Sequence, residues 1–521
     1  MASRRVVSVV LVFAIVATVR AGSEDWPCYG NVSARHSIAV DGPNKIDATT
    51  LKWVADADPQ DPEYYVEFES ATGPVVYNNI VYAYAKYFEP NDQSPSGFDY
   101  THSQIIAYDS NSGEILWSTV IDQAIYGSWS TPCIDSKHNT VLIGSGEKVF
   151  ALDAQSGEQR WATQLEKFVV NASVCTAVDI PHTRAFITDY DGFGTQGKLY
   201  CINLDPNESS NPYEPGEIVW SVRIGSTCGN TPTYKDGVVY VTSINGPNNV
   251  SGTIYAYDAT AGPNAIKLWE ATDTSFEGYY GGLTVTKEGY LYAVNYDWAE
   301  AEEDNSAMCK IDCSNGNIVW ITHAERTDSV PVVAGDKIYV SGGIAPDPLW
   351  FVGTRPKVEA YRDDGNSVTK LWETPSSMVV GGWTNQPVYA NGKLYVGAIP
   401  LDGDYFGAYT KLYILNVSVE PNDPNFIIAH YDANKCGNSP AVTYDSIYTI
   451  GSNGLFKFYQ PALLSDIRKD GKTDTRDLNE LVNAWLCDEP IGVKRSDLDL
   501  DGDVDFEDFC VLADEWRKES N

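Results

Sequence analysis

One phrase returns along this chain, and it limits the fold more than any other feature. It reads IIAYDSNSGEILW ending at Trp117, VFALDAQSGEQRW at Trp161, IYAYDATAGPNAIKLW at Trp269, CKIDCSNGNIVW at Trp320 and VEAYRDDGNSVTKLW at Trp372. A stretched copy, LYCINLDPNESSNPYEPGEIVW, ends at Trp220. From Trp117 to Trp372 these tryptophans stand 44 to 59 residues apart, a period that belongs to propellers and arrays. Each copy alternates apolar and polar positions, turns at Ser-Gly, Asn-Gly or Asp-Gly, and alternates again, as a strand, hairpin and strand do. Asp109, Asp153 and Asp258 are placed to accept backbone N–H groups inside those turns, a structural duty.

A second hairpin lies between copies, as in GPVVYNNIVYAYA from Gly73 and NQPVYANGKLYVGA from Asn385. Two hairpins per period give four antiparallel strands, the content of one blade. Outer strands are marked by Trp53, Trp117, Trp161, Trp220, Trp269, Trp320, Trp372 and a diverged NFIIAHYD with Ala429 in the tryptophan position. The last copy holds only three strands, and LKWVADA near the start is an orphan outer strand that can complete it. The sequence therefore predicts an all-β eight-bladed propeller over residues 51–460, its ring closed by an N-terminal strand so that no sheet edge is left free.

Composition narrows the partners. With 36 basic against 71 acidic residues the formal net charge is −35, which repels nucleic acid and anionic lipid. Residues 1–21 have the basic, apolar and small-residue regions of a signal peptide, and residues 22–50 form a leader before the ring. No later stretch is long enough for a spanning helix. Cys28 follows Asp25, Trp26 and Pro27 and not a lipobox. The expected product is secreted, periplasmic or held at the cell surface. Its 10 cysteines form no CxxC pair and its histidines are scattered, so no zinc centre is expected. Cys309 and Cys313, about 13 Å apart along a strand, read as small buried residues.

Segments leading into the inner strands should line the central funnel: ESATGP, YGSWSTP, TCGNTP, YYGGLTV, GGWTNQP and KCGNSP. Trp129, Asn230, Tyr280, Trp383, Asn385 and Asn438 are the candidate ligand-binding residues, since aromatic faces beside amides suit a sugar, a peptide or a flat cofactor. The competing reading has them packing on the adjacent blade. GFGTQG (192–197) fits a dinucleotide fingerprint but lies between two strands, which makes it a hairpin loop. The sequence carries no G-x-S-x-G, P-loop or HExxH motif, and no catalytic residue is expected.

After Tyr459 aromatic strands give way to Asp, Leu and helix formers, and residues 461–521 form a separate small α-helical domain. Two units, DIRKDGKTDTRDLNELVNAWL from Asp466 and DLDLDGDVDFEDFCVLADEW from Asp497, repeat at a spacing of 31 residues. The second places oxygen donors Asp497, Asp499, Asp501, Asp505 and Asp508 at loop positions 1, 3, 5, 9 and 12, with Gly502 at the sharp turn and the Asp503 carbonyl at position 7. Such spacing is that of a calcium loop. Its carboxylates repel by about 1 kcal/mol per pair at 4 Å in water, so the loop is expected to order only with the cation. The first unit supplies Asp466, Asp470, the Lys472 carbonyl, Asp474 and Asp477, but Arg468 at position 3 cannot ligate. Cys487 and Cys510 would be neighbours if the two helices pack antiparallel, and a disulfide between them is expected.

The A-x-D-x-x-[ST]-G-x-x-x-W phrase resembles the pyrroloquinoline-quinone (PQQ) repeat, and DWPCYGNVSARHS (25–37) is similar to the leader that precedes such propellers. The resemblance covers residues 22 to 460 and implies that the recurring tryptophans dock blade on blade. PQQ alcohol dehydrogenases of this family carry adjacent cysteines, which this chain lacks, so PQQ is not supported by specific residues. The paired loop-helix tail resembles a dockerin, the module that plugs secreted bacterial proteins into cohesins, with Thr475, Arg476, Phe506 and Glu507 departing from the familiar Ser-Thr pairs. The resemblances imply a non-catalytic binding or scaffolding propeller tethered by a calcium-dependent tail to a cohesin-like partner. The alternatives are a PQQ-dependent dehydrogenase, a carbohydrate-active enzyme delivered by its dockerin, and an outer-membrane assembly factor.

Overall fold

Turn chemistry sets the strands. In the repeat, Asp109, Asp153, Asp258 and Asp312 each accept the backbone N–H two residues on, at 2.8 to 2.9 Å. The glycine that follows has a left-handed backbone, φ +76° at Gly113 and +72° at Gly157, which a side chain would strain. Glycine is required there a second time by packing, because a Cβ on Gly157 would stand 2.5 Å from the Trp117 ring.

The computed structural model describes residues 25–55, 65–68, 71–88, 102–124, 128–192, 194–245, 251–273, 278–279, 281–296, 306–344, 355–399, 409–433, 436–451 and 454–460, and in the tail 467, 473, 475–485, 496, 498, 506–514 and 516. Eight sheets form the predicted propeller. The inner strands of blades 1 to 8 are Val75–Tyr77, Cys133–Asp135, Cys175–Ala177, Thr233–Lys235, Leu283–Val285, Val332–Ala334, Val388–Ala390 and Ala441–Val442. Blade 8 takes its outer strand, Leu51–Ala55, from the N-terminal side, paired antiparallel with Gly454–Tyr459. The ring thus closes as the orphan strand suggested. Apolar side chains fill the spaces between neighbouring blades, as Tyr82, Ile105 and Ala107 of blade 1 do with Ile134, Val141 and Phe150 of blade 2.

The tryptophans latch the blades in series. Indole N–H groups of Trp53, Trp117, Trp220 and Trp269 donate to the carbonyls of Ser110, Ala154, Ala261 and Cys313 on the next blade, at 2.8 to 3.2 Å. Trp320 uses the Asp363 carboxylate at 3.1 Å. Trp53 carries the latch across the closure seam to blade 1.

The leader forms a hub on which the inner strands converge. Trp26 exchanges two backbone hydrogen bonds with Val76 of blade 1. Ile134, Tyr234, Val285 and Tyr389, from blades 2, 4, 5 and 7, donate their N–H groups to the carbonyls of Pro27, Ser33, Ala34 and Ser37. The Ser33 hydroxyl donates to Thr176 of blade 3 at 2.7 Å, and Ile38–Ala39 runs parallel to the inner strand of blade 7. Arg35 is fully buried, and its guanidinium donates to the carbonyls of Tyr29, Val174 and Pro232 at 2.6 to 3.3 Å. A planar fork of five donors can satisfy several converging carbonyls that no apolar residue could.

The chain divides into two compact units, the ring with its leader at Glu24–Gln460 and a second that includes Pro461–Asn521. In the second unit, helices Thr475–Trp485 and Phe506–Asp514 pack together, with Ile467, Leu481, Leu498 and Leu512 in a shared core. Arg35→Met should lower the unfolding free energy of the ring by about 3 kcal/mol, because charged hydrogen bonds are worth ~1.5–3 kcal/mol each and the three carbonyls would be left buried. Calorimetry of the ring transition reads this; an unchanged transition would show that the leader does not bear on ring stability.

Candidate functional site

Polar residues do line the axis where the sequence places them, but their hydrogen bonds run from blade to blade. The N–H of Thr131 donates to the Ser173 hydroxyl at 2.9 Å, that of Ser173 to Thr231 at 3.0 Å, and that of Gln386 to Ser439 at 2.9 Å. Each amide foreseen as a ligand contact is similarly engaged. Asn230 donates to Thr242 and to the Tyr279 carbonyl and accepts the Cys228 N–H. Asn385 donates to the Gly437 carbonyl and accepts the Gly397 N–H, both at 2.9 Å. Asn438 donates to the Thr72 carbonyl and accepts the Tyr409 N–H. All three are fully buried. They brace the ring.

The aromatic candidates do meet. Trp129 of blade 2 stands edge-on to Trp383 of blade 7 with ring centroids 5.3 Å apart, and Tyr296 of blade 5 approaches Trp383 to 5.6 Å. Tyr409, Ile344 and Ala71 complete an apolar cluster drawn from several blades around the axis. Tyr280 lies outside the described residues.

Within this axis stands an acid that sequence reasoning passed over. Asp328 is 6% exposed, and its Oδ1 has no hydrogen-bond partner among the described residues. Its backbone N–H donates to the Trp383 carbonyl at 2.8 Å, which fixes it beside the aromatic cluster. Burial pushes its carboxyl well above the usual range, since an ionised group without a partner is costly in a desolvated site. The charge it would carry is felt by Tyr29 of the leader, by Tyr409 and by Cys228, whose thiol burial and Asp328 push up to about 12. The signal was present in ERTDSVP (325–331), a segment leading into an inner strand with an acid just before it.

In the tail, Asp477 and Asp508 are both fully buried at the last positions of their loops. Asp508 accepts the N–H of Leu498, folding back on its own loop. The 31-residue repeat is realised in packing: Ile467 matches Leu498, Leu478 matches Phe509, and Leu481 matches Leu512. Asp466, Asp470, Lys472, Asp474, Asp497, Asp499, Asp501, Asp503 and Asp505 lie outside the described residues, and no cluster of three metal-ligating side chains occurs among those described. Cys510 is an exposed free thiol, and Cys487 lies outside the described residues. The bridge expected between them therefore involves a residue outside the described ones. Two residues correspond to about 200° around a helix, so Cys510 faces away from the side that Leu512 buries.

Residues 63–211 match the family model described as outer membrane protein assembly factor BamB. No curated protein matches the chain. Among solved structures, a europium-containing methanol dehydrogenase is similar at 11% identity over 83% of this chain and 89% of that one, with a TM-score of 0.54. The quinohemoprotein alcohol dehydrogenase from Comamonas testosteroni is similar at 12% identity over 83% of this chain and 77% of that one, with a TM-score of 0.52. BamB from Moraxella catarrhalis matches at 16% identity over 76% and 97%, with a TM-score of 0.49. The dehydrogenase likenesses establish the propeller fold. No described helix is long and apolar enough to cross a membrane.

The Asp328 carboxyl gives the ring a pH dependence of known sign. A raised pKa in the folded state means that the folded protein holds a proton the unfolded chain has released, so stability falls as pH rises from the ordinary aspartate value toward the folded one. Asp328→Asn should therefore unfold at a higher temperature than the parent at pH 8 and at nearly the same temperature at pH 3.5. Equal melting temperatures at pH 8 would show that Asp328 is ionised and paired.

Proposed function

We propose that this is an exported binding and scaffolding propeller, tethered to a protein receptor of the cohesin kind by a calcium-organised tail. The observation that carries the reading is that the axial amides are spent on the ring itself, within and between blades. With those groups saturated and the leader bonded to the inner strands, the ring serves as a platform whose outer surfaces are left for partners. A match over residues 63–211 to an assembly-factor family supports a binding role.

The donor chemistry of the tail suits calcium. Hard cations take carboxylate and carbonyl oxygens, and each loop ends in a buried carboxylate, Asp477 or Asp508, at the position that closes it. Asp466, Asp470, the Lys472 carbonyl and Asp474 would hold one ion, and Asp497, Asp499, Asp501, the Asp503 carbonyl and Asp505 the other. Bound calcium supplies positive charge that lets these carboxylates converge. Export follows from the signal-peptide shape of residues 1–21.

A PQQ-dependent dehydrogenase is the second reading, favoured by Asp328, a buried acid on the axis of a fold shared with quinoprotein dehydrogenases. The absence of adjacent cysteines in the sequence argues against it.

Calorimetry of the full chain in millimolar calcium and in chelator tests the first reading. The tail should show a separate transition only with calcium, and Asp508→Ala or Asp499→Ala should weaken calcium binding at least tenfold while the ring transition stays in place. A tail equally ordered in chelator would overturn the calcium assignment. Dye-linked oxidation of alcohols after addition of PQQ and calcium, lost in Asp328→Asn, would favour the second reading instead.

A further inference from the structure

Blade 3 carries the longest insertion in the repeat, and a cavity lies beside it. Asn203 and Trp220 of blade 3 stand 17 positions apart, whereas the matching Asp153 and Trp161 of blade 2 stand 8 apart. The extra residues are held firmly. Asn203 is fully buried, and its amide donates to the carbonyls of Asp205, Tyr213 and Glu214 at 2.6 to 3.0 Å. Asn211 ties the same loop to Asn203 and Pro206 at 3.0 Å, and the Arg184 guanidinium lies over the Tyr213 ring.

This insertion alters the latch between blades 2 and 3. Gly216 still lies against the Trp161 ring, but the indole N–H of Trp161 finds no acceptor among the described residues, unlike those of Trp53, Trp117, Trp220, Trp269 and Trp320. Trp372 also lacks one, yet there Phe426 packs edge-on at 5.4 Å and fills the space. Beside Trp161 a pocket of about 420 Å³ remains, bounded by Asp135, His138, Arg160, Trp161, Pro206 and Glu214. That volume lies within the range of small-molecule sites, about 300–1,000 Å³.

We propose that this outer-edge pocket binds a neutral sugar ring, separately from the axis. Its walls offer an indole with an uncommitted donor, proline surfaces, and both donors and acceptors at fixed positions, the requirements of a polyhydroxylated ring with one apolar face. Its charges are mostly paired internally. Asp153 takes Arg160 at 2.6 Å, Asp135 takes His138 at 2.6 Å, and Asp205 takes Lys137 at 2.9 Å and His138 at 3.0 Å. Arg160 beside Asp153 holds that carboxyl down to about 2. Glu214 remains as an acceptor, and its carboxylate already orients through the Asn207 amide at 3.1 Å. A free anion is disfavoured by Glu214 and by the net charge of −35, while a cation finds one carboxylate instead of a cluster.

The test titrates the full chain with cellobiose, maltose, xylobiose and N,N′-diacetylchitobiose by saturation-transfer NMR, with a proline-rich peptide as the competing occupant. At least one disaccharide should bind. Trp161→Phe, which keeps a ring against Gly216 but removes the N–H, and Glu214→Gln should each weaken it five-fold or more, whereas Trp129→Phe on the axis should not. If Trp161→Phe does not fold, Glu214→Gln decides alone. Binding of no disaccharide, binding unaffected by Glu214→Gln, or capture of the peptide in place of sugar would overturn the proposal.

Discussion

The ring depends on carbonyl groups that converge at its centre and on the donors that meet them. Short inner strands expose backbone oxygens toward the axis, and a buried carbonyl without a donor is costly. The leader resolves this for most blades at once. Arg35 takes two of these oxygens, those of Val174 and Pro232, together with the leader's own Tyr29 carbonyl, and Ser33, Ala34 and Ser37 return carbonyls to the N–H groups of opposing strands. One stretch of chain therefore couples strands that belong to different sheets.

At the periphery the tryptophan latch does related work with different chemistry. A ring seated on a turn glycine leaves no room for a side chain, and the indole N–H satisfies a carbonyl of the next blade. Because each latch joins only neighbours, the sequence can alter one without disturbing the others. Blade 3 shows how: its insertion, braced by Asn203 and Asn211, removes the acceptor for Trp161 and leaves space.

Blade count, four-stranded sheets and N-terminal closure could be read from the sequence because alternation and turn residues are local signals. The hub could not. Arg35 bonds to Val174 and Pro232, 139 and 197 positions away, and nothing near Arg35 in the sequence announces them. For the axial amides the difficulty was chemical: Asn230, Asn385 and Asn438 carry the same groups whether they meet a ligand or a neighbouring backbone, and only the fold decides. Asp328 was missed because charged residues in loops are ordinarily solvated, whereas the geometry buries this one. The pocket beside Trp161 left a trace as the stretched copy of the repeat, but its significance needed the missing acceptor to be seen.

Ring and tail solve their charge problems in opposite ways. On the axis burial raises the pKa of a lone carboxyl, while in the tail the sequence gathers many carboxylates within one short loop, which we read as a site for a cation. The proposed platform role rests on the first unit being held shut by its leader. Native-state hydrogen exchange at the amides that bond to the leader, those of Ile134, Tyr234, Val285 and Tyr389, tests this most directly. The account predicts that they exchange only with global unfolding of the ring; exchange by local opening, while the strands behind them stay protected, would contradict it.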